Sequence, residues 1–446
     1  DFVWGAAAAS YQVEGAAYED GKGLSVWDTL CRRPGAIWSG HTGDVACDHY
    51  HRFREDAALM RSLNLKAYRL SISWPRVLPE GRGRVNPRGL GFYDRLVDEL
   101  LANRIAPWVT LFHWDYPWEL YCRGGWLNPD SPKWFADYTR VVVRKLGDRV
   151  RHWMTQNEPQ CYIGLGHQVG IHAPGLKLGM GDLLRATHHS LLAHGLAVKA
   201  IRASSRGKTS VGAAPVGVVR IPASDSARDV AAARRAMFSV ADGNGFWNNT
   251  WFMDPILKGR YPEDGLRAYG TSVPKYSRRD LETMHQPLDF FGVNVYHGDR
   301  VAAGPGGKAV PVPQPVGYAQ TANDWPVVSE CLYWGARFFH ERYRLPIYVT
   351  ENGLSSMDWI ARDGRVHDAG RIDFLARHLA QLKRAAQDGV PVRGYFQWSI
   401  LDNFEWAEGY KERFGLVYVD YPTQRRIPKD SAYWYRDLIS TNGATL

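Results

Sequence analysis

Pro346-Ile347-Tyr348-Val349-Thr350-Glu351, then Arg371–Asp388, then Val392–Ser399: the reading of this stretch decides the fold. The two outer pieces are short runs of apolar, β-branched and aromatic residues, the composition of buried strands. The middle piece carries Ile372, Leu375, Leu379 and Leu382 at steps of three and four, which is one apolar face of a helix. A strand, a helix and a second strand in that order make a crossover between parallel neighbours. The same alternation runs back to the start of the chain. Further strands are expected at Phe2–Ala9, Ala67–Trp74, Ala106–Trp114, His152–Asn157, Ser210–Gly217 and Asp289–Tyr296. Helical patterns lie between them at Arg54–Leu63, Gly89–Asn103, Lys133–Leu146, Leu183–Ala203 and Val327–Tyr343. Eight strands alternating with helices predict an α/β protein, a single (β/α)8 TIM barrel with active-site loops at its C-terminal face. Length alone points to about three domains. Barrels with insertions run past about 400 residues as one unit, so residues 1–446 are expected to form one catalytic domain.

Two segments do not fit the alternation. Ala303–Gly317 is rich in Gly, Pro and Val and follows the sixth strand. It reads as a rim over the active-site mouth, with a mobile surface loop as the alternative. Trp247–Gln286 reads as an irregular, aromatic insertion without an assigned role.

Composition narrows the function classes. The chain has 18 Trp, 23 Tyr and 16 Phe, an excess that suits a carbohydrate or other flat-ligand surface as well as a large core. The formal charge of +9 comes mostly from scattered Arg, with no basic run or zinc-finger spacing, so nucleic-acid binding is not expected. No apolar run approaches the roughly 18 residues of a membrane helix. Five cysteines, at 31, 47, 122, 161 and 331, form no CxxC pair and fit reduced thiols in a cytoplasmic enzyme. The start at Asp1-Phe2, without Met, leaves a removed signal peptide open.

Polar residues gather where the expected strands stop: Ser10-Tyr11-Gln12, Ser73-Trp74, His113-Trp114-Asp115, Asn157-Glu158-Pro159, Asn294 with Tyr296, Thr350-Glu351-Asn352 and Trp398-Ser399. In a barrel this is the catalytic face, whatever the reaction. Glu158 and Glu351 end strands four and seven, which face each other across the mouth. A glycosidic bond needs one carboxyl to protonate the leaving oxygen and a second to attack or to activate water. A separation of about 5–5.5 Å gives retention of anomeric configuration, and about 6.5–9.5 Å gives inversion.

At these residues the chain resembles the glycoside hydrolase family 1 β-glucosidases, over essentially its whole length. The resemblance rests on Phe2-Val3-Trp4-Gly5 with Ser10-Tyr11-Gln12-Val13-Glu14-Gly15, on Thr155-Gln156-Asn157-Glu158-Pro159, and on Tyr348-Val349-Thr350-Glu351-Asn352-Gly353. It continues in Trp398-Ser399, Asp402-Asn403-Phe404-Glu405-Trp406 and Arg413-Phe414-Gly415-Leu416. The resemblance implies a retaining β-glycosidase acting on terminal non-reducing β-D-glucosyl residues, with β-fucosides and β-galactosides also accepted. Glu351 would be the nucleophile and Glu158 the acid/base. Arg69 and Tyr296 would support the nucleophile. Gln12, His113, Trp114, Asn157, Asn294, Glu405 and Trp406 would bind the sugar with Tyr296, Trp398 would be its stacking platform, and Phe414 would wall its 6-hydroxyl. It implies no metal and no cofactor, and as partners β-glucosides such as cellobiose or aryl glucosides, with oligomeric state unspecified. His188-His189 has no third ligand at metal spacing and reads as a helix position. Cys161, three residues past Glu158, is a candidate for inhibition by alkylation.

Departures from the family pattern are Tyr116 and Trp118, where Leu and Gln are usual, and His297, where Tyr, Thr or Ser is usual. These bear on the leaving-group side and leave the chemistry alone, with packing beneath the loop as the alternative for Tyr116 and Trp118. Phospho-β-glycosidases replace the Glu405-Trp406 region, because a carboxylate there would repel a phosphate dianion. Plant thioglucosidases carry Gln at the Glu158 position. A transglycosidase on the same scaffold shares every catalytic residue, and a non-catalytic sugar-binding protein typically lacks one of the two glutamates. An aldolase or phosphate-binding barrel would want a strand-end Lys or a Gly-rich loop after strands seven and eight, and neither appears.

Overall fold

A computed structural model of the chain describes residues 2–241 and 245–446. Eight parallel strands close into a barrel: β1 (Val3–Ala7), β2 (Ala67–Ser71), β3 (Ala106–Phe112), β4 (His152–Asn157), β5 (Ser210–Ala214), β6 (Phe290–Asn294), β7 (Ile347–Asn352) and β8 (Val392–Trp398). Each strand pairs with its sequence neighbour, and β1 pairs with β8 in the register Val3↔Gly394 to Ala7↔Trp398, which closes the ring. The expected (β/α)8 architecture is therefore present. All eight strands fall where the sequence places them, and most are shorter at their C-terminal ends. Residues such as Ser73, His113 and Tyr296 leave the ladder and turn into the loops.

The helices form because an apolar stripe has a barrel to cover. Pro87–Ala102 starts on Asn86, whose side chain accepts from Arg88 N at 3.3 Å, with Pro87 in the first turn where it displaces no needed donor. Its buried side chains Phe92, Tyr93, Leu96, Val97 and Leu100 recur at helical spacing, and the opposite face stays wet. Ala369–Gln387 does the same with Leu375, Leu379 and Leu382, although Ile372 is only half-buried.

The barrel interior is plugged by rings. Trp108 stacks on His152 at 3.9 Å and meets Tyr348 at 4.9 Å, Phe396 at 5.1 Å and Phe290 at 5.5 Å. Room for them comes from glycine: a Cβ on Gly5 would lie 2.6 Å from the Phe396 ring, and one on Gly212 would lie 2.3 Å from Phe290. This plug makes the barrel a packed core with one working end.

Two expectations are corrected. Trp247–Gln286 is not irregular, since it contains helices at Thr250–Lys258, Glu263–Tyr269 and Arg278–Met284. Its aromatic residues hide the helical period, yet Trp251 and Tyr261 stack at 4.4 Å inside it. Ala303–Gly317 is not the rim of the mouth. Its first part belongs to a small sheet of Val219–Pro222, Gly298–Ala303 and Ala309–Pro311, and Gly307 is bonded by Arg235. All five cysteines are free thiols. Among the described residues no helix is long and apolar enough to cross a membrane.

Candidate active site

The C-terminal ends of the strands open into a cavity of about 610 Å³. Glu158 sits one residue past β4 in left-handed backbone (φ 46°, ψ 68°), a turn that swings its side chain over the barrel. Its backbone N donates to Ala214 O at 2.8 Å, which ties the turn to β5. Glu351 lies in β7 itself. Both carboxyls are buried and both line the cavity.

The groups around them treat the two carboxyls differently. Arg69 of β2, fully buried, donates Nη1 to Glu351 Oε1 and Nη2 to Asn157 Oδ1 at 2.6 Å, while its Nε holds Thr110 Oγ1 at 3.2 Å. Tyr296 donates its hydroxyl to the other oxygen, Glu351 Oε2, at 2.8 Å. Among the described residues Glu158 has no cation bonded to it. Asn294 Nδ2 donates to Glu158 Oε1 at 2.8 Å and to Asn157 Oδ1 at 2.9 Å, and Thr350 fixes that amide by donating to Asn294 Oδ1 at 2.6 Å.

Burial raises the pKa of Glu158 to about 8, with the charge of Glu351 as the second cause. Burial also raises Glu351, but Arg69 and Tyr296 pull it back toward ionisation. The surroundings thus favour the proton on Glu158 and the negative charge on Glu351.

The remaining residues singled out from the sequence form one wall. His113 lies between Trp398 (5.7 Å, interplanar 24°) and Trp406 (5.8 Å, 22°), and Trp114 packs on Trp406 at 4.5 Å. Burial, then Arg69, push His113 far below its usual value, so it is neutral. Phe414 meets Tyr296 edge-on at 6.2 Å. Glu405 also lines this wall, and burial and the Glu351 charge raise it to about 8. Gln12, Asn157 and Arg69 lie immediately behind the cavity surface. Gln12 donates Nε2 to Asn403 Oδ1 at 3.0 Å, Phe404 O at 2.9 Å and Glu405 Oε2 at 3.3 Å, while its buried Oε1 has no partner among the described residues. Asn157 gives its amide nitrogen to His113 Nε2 at 3.1 Å, and its backbone carbonyl accepts from Trp114 Nε1 at 3.0 Å.

The sequence pattern does not reveal several lining residues. Trp325 packs on Tyr296 at 5.0 Å and on His297 at 5.5 Å, with Asn323 and Asp324 beside it. The rim it forms is residues 322–325, downstream of the segment expected there; a lone Trp in a polar loop is the available signal. Trp247 and His172 also line the cavity. Of the three departures only His297 does so. Tyr116 is core, between Trp74 (5.2 Å) and Trp126 (5.1 Å), and Trp118 packs on Tyr121. His188 Nδ1 bonds Tyr261 Oη at 2.9 Å and His189 Nδ1 bonds Trp126 O at 2.8 Å, so both are held structurally. Among the described residues no group of three His, Cys, Asp or Glu is arranged to hold a metal ion. A larger crevice of about 910 Å³, lined by Arg234, Lys258, Arg342 and Arg344, lies among outer helices and contains no strand end.

A closed barrel with two buried, differently biased glutamates at the ends of β4 and β7, set in an aromatic and polar cavity, is the machinery of a glycoside hydrolase. Comparison with known proteins agrees. The model of glycosyl hydrolase family 1 matches residues 1–444. A 1,4-beta-D-glucan glucohydrolase of Thermotoga neapolitana is 46% identical over 100% of this chain and 98% of its own length. Beta-glucosidase A of Thermotoga maritima is 45% identical over 99% of this chain and 97% of its own. A solved structure of the family 1 b-glucosidase from Thermotoga maritima superposes with a TM-score of 0.90, at 45% identity, covering 99% of this chain and 98% of that one. The same enzyme in complex with glucoimidazole also gives 0.90. The chain belongs to glycosyl hydrolase family 1.

Proposed function

We propose that this protein is a retaining β-glucosidase, one catalytic unit over residues 1–446, that releases terminal non-reducing β-D-glucosyl residues by double displacement. The observation that carries the reading is the unequal treatment of the two carboxyls: Arg69 and Tyr296 bond Glu351 and favour its anion, while burial and the Glu351 charge favour the proton on Glu158. Glu351 attacks the anomeric carbon as Glu158 gives its proton to the departing oxygen. Esterification removes the negative charge of Glu351, which is the second cause of the raised Glu158 value. After that step the Glu158 carboxylate left behind is free of the repulsion, and it takes the proton of the attacking water as general base. Attack by that water releases the sugar with its starting configuration, and the cycle uses only the two carboxyls and water.

The glycone is placed by His113, Asn294, Glu405 and Trp406 on the cavity surface over Trp398, with Gln12 and Asn157 directly behind them. Gln12 supports that surface by holding Asn403, Phe404 O and Glu405 Oε2. Glu405 can hold a 4-hydroxyl of either orientation, so β-galactosides and, even without a 6-hydroxyl, β-fucosides are expected as further substrates. A 6-phosphate is not: Glu405, Glu408 and Glu412 stand on this side of the cavity with Lys411 as the one Lys or Arg among the described lining residues, so a dianion would give up its hydration without matching positive charge. The relatives' names, and glucose-like ligands such as deoxynojirimycin bound to one of them, support glucosides as substrates, cellobiose and aryl glucosides among them. Five free thiols fit a reducing, cytoplasmic setting.

A panel of p-nitrophenyl β-glucoside, β-galactoside, β-fucoside and β-glucoside 6-phosphate tests the assignment. Turnover of the unphosphorylated glycosides, glucoside first, is expected. Exclusive turnover of the 6-phosphate, or none at all by the folded protein, would overturn it.

A further inference from the structure

The loop after β8, residues 399–416, carries Glu405, Trp406 and Phe414, yet its only regular element is a 3-10 turn at Trp406–Glu408. Something other than a strand or helix ladder must hold its shape. Asp402 joins its two feet: Oδ1 accepts from Gly415 N at 2.9 Å and Oδ2 from Arg413 Nη1 at 2.7 Å. Asp402 is in turn held by Lys429, whose Nζ lies 2.7 Å from Asp402 Oδ1. Lys429 is 0% exposed, and the same ammonium reaches Asp358 Oδ2 at 2.5 Å.

Asp358 stands on the loop after β7, seven residues beyond Glu351. That loop is stitched to the first one, since Ser356 N donates to Arg413 O at 3.1 Å. Arg371, fully buried on its helix, donates Nη2 to Asp358 Oδ2 at 2.9 Å and to Arg413 O at 2.8 Å, and pairs with Asp368. Three acids (Asp358, Asp368, Asp402) thus meet three cations (Lys429, Arg371, Arg413), so the cluster is neutral. None of the six lines the cavity.

We infer that Lys429 is a positioning residue for the glycone subsite: a buried clamp that sets the β8 loop, with Glu405, Trp406 and Phe414, against the β7 loop that follows Glu351. The inference rests on the proposed β-glucosidase reading and adds to it a residue outside the site. Lys429 touches neither Glu158 nor Glu351, so its removal should weaken sugar binding and leave their titration in place. Without the ammonium, Asp358 keeps Arg371 and Asp402 keeps Arg413, but the charge that joins the two aspartates is gone, and two buried carboxylates lose a partner.

The test is Lys429→Met, which keeps the length of the side chain and drops the charge, and Asp358→Asn, which cuts one arm. For each, kcat and KM on p-nitrophenyl β-glucoside, Ki for glucose, the kcat/KM pH profile and Tm are measured against wild type. Lys429→Met should raise KM and the glucose Ki together by about tenfold or more, with a smaller change in kcat and unmoved limbs of the pH profile. Asp358→Asn should shift both constants in the same direction by less. A lowered Tm with KM and Ki unchanged, assayed well below unfolding, would overturn the inference and leave Lys429 a structural residue only. If Lys429→Met does not fold, Asp358→Asn decides alone: a raised Ki supports the clamp and an unchanged one refutes it. A wild-type protein without glucosidase activity would instead overturn the reading beneath it.

Discussion

Tyr296→Phe removes one hydroxyl and leaves the ring in place against Trp325 and Phe414. The lost interaction is the 2.8 Å bond to Glu351 Oε2, buried and made to the ionised form. A hydrogen bond to a charged group is worth about 1.5–3 kcal/mol. Since about 1.4 kcal/mol is tenfold, Glu351 should bind its proton about 10- to 150-fold more tightly in the variant. The sign follows from the bond's partner: it favours the carboxylate, so losing it raises the pKa of Glu351. The anion is then lost at higher pH than before, and the acid limb of kcat/KM should move upward by about one to two pH units. The basic limb belongs to Glu158 and should move little. The assay is the pH dependence of kcat/KM on p-nitrophenyl β-glucoside, with thermal melts to show the fold intact. An acid limb that stays where wild type has it would refute the assignment of Tyr296 as support for the Glu351 charge.

Other consequences are equally direct. Glu351→Ala should abolish turnover, and azide or formate should restore part of it with inverted product; rescue giving retained product would contradict the nucleophile assignment. Glu158→Ala should spare activated aryl glycosides far more than alkyl ones, because a good leaving group needs no acid, and equal losses would argue against its role. In wild type the basic limb of kcat/KM should fall as pH passes about 8, the point at which Glu158 loses its proton. Glu351→Gln should bring the Glu158 titration down, read by carboxyl NMR or infrared difference spectra, because the Glu351 charge helps to raise it. Among residues that do not line the cavity, Arg76→Met would strand the buried Glu14 that it meets at 2.8 Å, a loss of about 3–5 kcal/mol that should appear as a lower Tm.

Much of this molecule is legible in its residues. The strand segments are short apolar runs bounded by helices with clear 3.6-residue periods, so their number and parallel sense follow from pattern alone. Their ends come earlier than the pattern suggests, since His113 and Tyr296 keep a strand-like composition after the backbone has left the ladder. The two glutamates are visible because each lies where a run of apolar residues stops. Their difference does not follow from pattern and is implied only by the family resemblance, because it comes from Arg69 and Tyr296, distant in sequence and brought in by β2 and the end of β6. Trp325 and the clamp at Lys429 are hidden for the same reason. A Trp in a polar loop and a Lys before a helix have no period to betray them, and only the closed barrel shows that Lys429 bonds a residue 27 positions away and another 71 away. For Tyr116 and Trp118 the sequence leaves two readings, a leaving-group contact or packing beneath the loop, and the structure shows packing.

The central claim is double displacement through Glu351, and the anomer of the first-formed product tests it most directly. Wild-type protein should be given p-nitrophenyl β-glucoside in an NMR tube and the anomeric protons followed within the first minutes, before mutarotation. The proposed double displacement calls for β-glucose as the initial product, with the α-anomer rising only at the mutarotation rate. Initial α-glucose would mean that water attacks directly from the far side and that Glu351 is not the nucleophile.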